Sequence, residues 1–319
     1  MRQFVLSAMA AGALFVPLAA EQAAPAAPAQ AAAQPQPQAP PLRVYIRAGL
    51  KTHAEGQHDY PQFLADWSKV LTERGAIVDG GLSFPSAEAL AGVDVVVMYK
   101  GDAGYMTLGE RVALEAFLKR GGGLVGAHDA ICAEDPAWWA TVFGGAKKHG
   151  EVNYTLEAPV AYTFTQPNHP ITQGMTPFTI TDEAFFNMTW AQAPGIQVLA
   201  TAPMAPTQSA GTHAGEVVPQ IWTYERTMFG GQPFRSFVWM QGHNYANFAK
   251  PEIRDMMLRA ISWAGKRPVD ALANVRPARG GGGGGGRGGR VGGAPGAPGA
   301  PAAPAGGQGA GRGAGRGGN

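Results

Sequence analysis

Val93-Asp-Val-Val-Val-Met-Tyr99 does most to narrow what this chain can become. A run this apolar and β-branched suits a strand covered on both faces, and such strands belong to parallel sheets flanked by helices. Its surroundings agree. Residues 42–48 read as a strand, followed by a polar loop and a helix with Asp59 as its cap and Pro61 in its first turn. Phe63, Leu64, Trp67, Val70 and Leu71 give that helix an apolar face, and Gly75 ends it. Thr107-Leu-Gly-Glu110 is a capping box opening a second helix to Arg120; Gly121-Gly-Gly then leads into a short strand over 124–127. This alternation predicts βαβ units and an α/β, doubly wound, mostly parallel sheet with helices on both faces.

The second half is richer in strands. Segments 152–157, 161–165, 178–181, 196–200, 217–224 and 234–240 are expected to extend the sheet and to form an antiparallel β excursion. A last helix, Pro251–Ala264, places Ile253, Met256, Met257, Ala260 and Ile261 on one face.

Of the 46 glycines, 21 fall in the last 40 positions, while all seven tryptophans and all seven histidines lie between residues 42 and 274. One domain over 42–274 is therefore expected, with a disordered Gly/Arg/Pro/Ala-rich tail over 275–319. Six arginines and no acid follow Val275; without them, Arg2 and Glu21, the core holds 18 basic residues against 22 acids. A core this mildly acidic is expected to bind no nucleic acid, because phosphate contacts need a basic face. Residues 1–20 have the layout of a secretory signal, one early arginine before an apolar run and small residues, with cleavage as late as 26. That run is short for a membrane span and broken by Pro17, so no transmembrane segment is expected. The mature protein is expected to be secreted or periplasmic, with an Ala/Pro/Gln-rich linker over 21–41. No pattern specifies an oligomer.

Ligands of open α/β sheets bind outside the carboxyl ends of the strands. The loops expected there carry His53 and His58, then Lys100 and Asp102, then His128 and Asp129. His243 directly follows the last expected strand, and His149 lies in a Gly- and Lys-rich turn. His169 reads as turn chemistry and His213 as a solvated loop residue. Gly126-Ala-His-Asp-Ala130 has the form of a nucleophile elbow with histidine in the nucleophile's place. Cys132, the only cysteine, is expected inside the next helix, which argues against acyl transfer through a thiol; it also excludes an internal disulfide.

Taken together, these segments resemble the ThuA-like family, named for trehalose utilisation proteins and related in fold to class I glutamine amidotransferases. The resemblance rests on the His53/His58-Asp59 loop, Gly121-Gly-Gly-Leu-Val-Gly-Ala-His128, Phe143-Gly-Gly-Ala-Lys-Lys-His149 and Asn168-His-Pro-Ile-Thr172. It continues through Thr181-Asp-Glu183, Gln220-Ile-Trp-Thr-Tyr-Glu-Arg226, Gln241-Gly-His243 and Ile261-Ser-Trp-Ala264. The chain departs from the pattern at Glu183-Ala-Phe185-Phe186, which lacks the usual nearby tyrosine, and at Gly150, where proline is frequent. The resemblance implies a flavodoxin-like domain whose pocket carries His128, His149, Glu183 and His243. It also implies a role in the catabolism of sugars such as 3-keto disaccharides and glucosides, and in some relatives a divalent metal.

Residue chemistry adds to this. Protons beside a sugar carbonyl are acidified, so isomerisation or β-elimination needs a base with a pKa near ambient pH and a group that stabilises the enediolate. Histidine and a partly buried glutamate suit the first role; a second histidine, Lys100 or a metal suits the second. His128, His149, Glu183 and His243 would equally form a nitrogen/oxygen ligand set for zinc or manganese. Both readings stand at this level, and no nucleotide cofactor is expected. His53, His58, Lys100, Asp102, Asp129, Trp138 and Tyr245 are the expected substrate contacts, with aromatic rings serving as sugar platforms. A non-catalytic carbohydrate-binding module, with sugar binding carried by the tryptophans, is the alternative.

Overall fold

The computed structural model describes residues 39–151 and 153–273. The expected leader, all but the last three residues of the linker, and the tail lie outside the described residues. In chain order the first half runs β1 (Arg43–Ala48), α1 (Tyr60–Thr72), β2 (Ile77–Gly81), α2 (Ala87–Leu90), β3 (Val95–Tyr99), α3 (Leu108–Lys119), β4 (Gly123–Ala127) and α4 (Pro136–Phe143). The second half runs β5 (Gly145–Ala146), β6 (Tyr154–Ala161), β7 (Thr163–Phe164), β8 (Thr179–Phe185), β9 (Thr189–Trp190), β10 (Ile196–Pro203), β11 (Val217–Thr227), β12 (Pro233–Trp239) and α5 (Pro251–Ala264).

Eight strands form the main sheet in the order β2-β1-β3-β4-β12-β11-β10-β7. The first five neighbours pair in parallel, and β12-β11-β10-β7 pair antiparallel. This is the expected mostly parallel, doubly wound architecture with an antiparallel excursion. Strand β3 sits near its centre for the reason its sequence suggests. All five of its residues are buried; Val95, Val97 and Tyr99 face one core layer while Val96 and Met98 face the other. Helices α1 and α5 cover the first layer, and α3 and α4 cover the second. Each fully buried valine or methionine contributes roughly 1.5–3 kcal/mol of transfer free energy.

The capping box forms as its residues dictate: Thr107 Oγ1 accepts from Glu110 N, and the Glu110 carboxylate accepts from Thr107 N at 2.8 Å. Asp59 precedes α1 but makes no side-chain cap; its carboxylate pairs with Lys51 at 2.9 Å instead. The short elements β2, α2, β5 and β9 escape sequence reading because Gly80-Gly81 and two-residue strands carry no apolar period. Strands β6 and β8 form a separate antiparallel ribbon, which carries Asp182 and Glu183 over the main sheet. No helix among the described residues is long and apolar enough to cross a membrane.

Candidate functional site

Strands β1, β3, β4 and β12 end at one edge, and the segments that follow them build a single cluster. His58 is delivered by the loop after β1, whose inward course is tied to the segment after β12. His58 N donates to His243 O at 3.0 Å, and Gln57 forms a bridge with Asn244. His128 is the first residue beyond β4 and opens a 3-10 turn, His128–Ile131. His243 follows β12, after Gly242, whose φ of 128° suits glycine; a Cβ there would meet the Phe248 ring at 3.2 Å. Glu183 reaches the same place from β8.

These four side chains are all buried, and one ligand atom from each lies within 4.8 Å of all the others. His58 Nε2 is 2.9 Å from His128 Nε2. Glu183 Oε2 lies 3.3 Å from His128 Nε2 and 3.2 Å from His243 Nδ1. The outer nitrogens are engaged at two rings: His58 Nδ1 faces Thr52 Oγ1 at 3.0 Å and His128 Nδ1 faces Met240 O at 3.3 Å. His243 differs. Neither of its buried ring nitrogens has a properly directed hydrogen bond among the described residues. Bare imidazole nitrogens aimed at a carboxylate and two further imidazoles are the donor set of a divalent metal, and the four residues could hold one.

Electrostatics sort the group. Burial, reinforced by the neighbouring histidines, pushes His58 down to about 2. Burial would also lower His128, but the carboxylates of Asp129 and Glu183 outweigh it and raise this ring to about 9. Glu183 is buried too, yet its contacts with His128 and His243 hold it well below the usual carboxylate range. Asp182, fully buried on the same strand, is pushed up by burial against the opposing pull of His128 and its hydrogen-bond donors. It accepts from His243 N at 3.0 Å, Gly242 N at 3.2 Å, Glu183 N at 2.7 Å and Asn247 Nδ2 at 2.7 Å. One carboxylate thus fixes the backbone beneath two members of the cluster.

Backbone strain collects here. His53, His58, Asp102, His128 and Glu157 all have φ between 47° and 64°, the left-handed region that non-glycine residues rarely occupy. Each costs on the order of 1–3 kcal/mol, which packing elsewhere must offset, and such strain gathers at functional sites. At His128 it is the sharp turn expected of an elbow, with an imidazole at its tip.

The cluster opens into a cavity of about 270 Å³, lined also by His53, Asp129, Lys147, His149, Tyr154 and Phe185. An adjoining lobe of about 310 Å³ shares His53, His58, Asp129 and His149 and adds Lys100 and Asp102. His128, Glu183 and His243 therefore come together as expected, but His149 does not join them. It stands half exposed at the rim with Nδ1 2.7 Å from Asp102 Oδ1, and His58 takes its place in the cluster. Lys100 turns its amine to the carbonyls of Gly101 and Asp102. Asp129 lies at the cluster's edge, 3.9 Å from His58 Nε2 and 4.0 Å from His128 Nε2.

Two expected sugar contacts face elsewhere. Trp138 lies on the outer side of α4, where Arg111 packs 3.8 Å from its ring and its indole donates to Glu115 at 3.2 Å. Tyr245 donates to Asp66 at 2.7 Å and lines a different cavity beside α1. Trp139 and Trp222 are fully buried in the second core layer. Cys132 is not helical. It follows the 3-10 turn in extended backbone, bridged to Lys147, and burial pushes its thiol well above the ordinary value. His169 accepts from Ile171 N in its turn, and His213 pairs with Glu216 and stacks on Phe186.

Sequence reading did not single out Asp182 or Lys147 as site residues. Asp182 sits within the quoted Thr181-Asp-Glu183, but only the fold shows which donors it gathers. Lys147 gave no local signal apart from its neighbours in a basic turn.

No curated protein matches the chain. A solved ThuA-like protein from Bacteroides uniformis superposes with a TM-score of 0.53 at 20% identity, covering 76% of this chain and 99% of its own. A second, from Parabacteroides merdae, gives 0.53 at 17% identity, covering 70% and 90%. At such identities the likeness speaks for the fold. Residues 52–264 match the ThuA family itself, described as trehalose utilisation. With the match spanning most of the chain and the fold agreeing, this protein belongs to the ThuA family.

Proposed function

We propose that this protein is an exported, metal-dependent ThuA enzyme of sugar catabolism that removes a proton beside the carbonyl of a 3-keto sugar or glycoside. The observation that carries this reading is the convergence of His58, His128, His243 and Glu183 within 4.8 Å at the floor of an open cavity. Three imidazoles and a carboxylate are a nitrogen/oxygen donor set for a divalent ion of the manganese or zinc type, and His58, His128, His243 and Glu183 would hold it. A divalent ion held there would polarise a carbonyl and steady the negative charge that develops on its oxygen.

The chain's own groups divide the remaining work. Glu183, held ionised by two imidazoles, is a weak base, because a base this far below ambient pH accepts protons poorly. Asp129 borders the cluster and lines the cavity, so it is the group we assign to take the proton from carbon. His53 and His149 close the rim, and the adjoining lobe has room for the second ring of a disaccharide or the aglycone of a glucoside. The rival reading, a tryptophan-based binding module, is weakened by Trp138 facing α3 rather than the cavity.

Deuterium exchange at the carbon beside the carbonyl of a 3-keto-glucoside, followed by NMR in heavy water, tests the reading. Wild type should catalyse exchange and Asp129→Asn should not. Absence of exchange with the wild-type protein would contradict it.

A further inference from the structure

The cavity lined by His58 and His243 also carries a cation, Lys147, that no carboxylate among the described residues answers. Lys147 follows β5, and its backbone is pinned on both sides: its N–H donates to Ile131 O at 3.1 Å and its carbonyl accepts from Ala133 N at 3.0 Å. The side chain is 94% buried by residue, at 6% relative exposure, and runs over aromatic rings. Its Nζ lies 4.1 Å from the centre of the Phe185 ring and 5.5 Å from that of Tyr154. The Phe185 ring also stacks on the His128 ring, at 5.3 Å and 17°. Among the described residues, Lys147 Nζ has no carboxylate within ion-pairing distance and no hydrogen-bond partner, although Lys147, Phe185 and Tyr154 line the same cavity as His58, Glu183 and His243.

Lysine is rarely this buried without a partner. A cation–π contact repays only part of what an ammonium loses when its stem is buried and its contact with water is restricted. The neighbouring rings set the position of the amine but leave its proton-bearing face without an acceptor. An unanswered ammonium beside a ligand cavity is completed by an anionic oxygen that arrives with the ligand. We propose that Lys147 is an anion-binding residue of this pocket, receiving a negatively charged oxygen of the bound sugar. The sugar is taken from the function proposed above; the need for an anion is not.

Two sources supply such an oxygen. One is a carboxylate already present, which makes the substrate a sugar acid. The other is the enolate oxygen formed when Asp129 removes a proton from carbon: the C–H electron pair becomes the new C=C bond, and the carbonyl π pair moves onto oxygen, where the Lys147 ammonium donates a hydrogen bond.

Glucuronate and glucose binding to the purified protein, measured by calorimetry for wild type, Lys147→Met and Lys147→Arg, tests the first source. The rate of 3-keto-glucoside exchange in the same three proteins tests the second. A carboxylate source predicts at least tenfold tighter binding of glucuronate than glucose in wild type, lost in K147M and kept in K147R. An enolate source predicts no such preference but a kcat at least 100-fold lower in K147M, with KM within threefold and partial recovery in K147R. Folding is checked by the thermal midpoint, and K147R keeps the test valid if K147M unfolds. Should wild type show neither a glucuronate preference nor a rate that depends on a cation at position 147, the inference is overturned. Glucuronate preference without keto-sugar exchange would uphold the role of Lys147 while removing the proposed reaction.

Discussion

His58 and His128 meet Nε2 to Nε2 at 2.9 Å in a buried site, so only one of the two rings can hold a proton between them. The two rings are pushed apart, His58 down to about 2 and His128 up to about 9, and the proton therefore belongs to His128. Before a metal can bind, that proton must leave. At pH 7, uptake of Mn²⁺ should release about one proton, and affinity should rise about tenfold per pH unit up to about pH 9. Calorimetry in buffers of different ionisation enthalpy counts the protons; no release would show that His128 is not a ligand.

The same shifts set how the metal-free protein responds to pH. His128 is raised above its unfolded value of 6.5, so its stabilisation is complete below 6.5 and fades as pH climbs through about 9. His58 is depressed from 6.5 to about 2, so the unfolded chain binds its proton first and stability falls as pH drops below 6.5. Glu183, also depressed, adds to the acid loss below its ordinary value of 4.5. The thermal midpoint of chelator-treated protein should peak near pH 6–7. His128→Gln should flatten the alkaline side of the profile and also make the acid side shallower, because the His128 ring helps to hold Glu183 and His58 low.

Asp182 should matter for stability more than for chemistry. Replacing it with alanine strands the amides of Glu183, Gly242 and His243 and the Asn247 side chain in a buried place. A cost of roughly 3–5 kcal/mol in urea unfolding is expected. Metal affinity should weaken at least tenfold, because the backbone under Glu183 and His243 loosens. An Asp182→Ala protein as stable as wild type would mean those donors find other acceptors.

Trp138→Ala should lower stability by about 1–2 kcal/mol, through lost packing with Arg111 and the lost bond to Glu115. Sugar binding and turnover should stay within twofold of wild type. A large loss of sugar affinity would restore this tryptophan as a platform.

What could be read in advance follows how local each signal is. The valine run of β3, the Thr107–Glu110 capping box and α5 declare themselves within a few residues, because strand burial and helix capping are local matters. His128 is legible because it directly follows β4, and His243 because it lies four residues beyond the end of β12. That His58 and not His149 joins the cluster has no local signal. His58 is drawn inward by a bond to His243 O, 185 residues away in the chain, whereas His149 ends in a turn held at the rim by Asp102. Lys147, two residues from His149, points inward because of its bridge with Cys132, a pairing with no sequence signature. Trp138 and Trp139 lie about 100° apart on α4, and the sequence does not say which faces the core.

The identity of the metal ligands is tested most directly by Mn²⁺ titration of wild type, His58→Ala and His149→Ala, read by calorimetry and metal analysis. Wild type and H149A should each take up one ion per chain with affinities within about threefold, while H58A should lose at least 100-fold. Equal uptake by wild type and H58A, or loss of the ion in H149A instead, would contradict the four-residue centre built on His58, His128, Glu183 and His243.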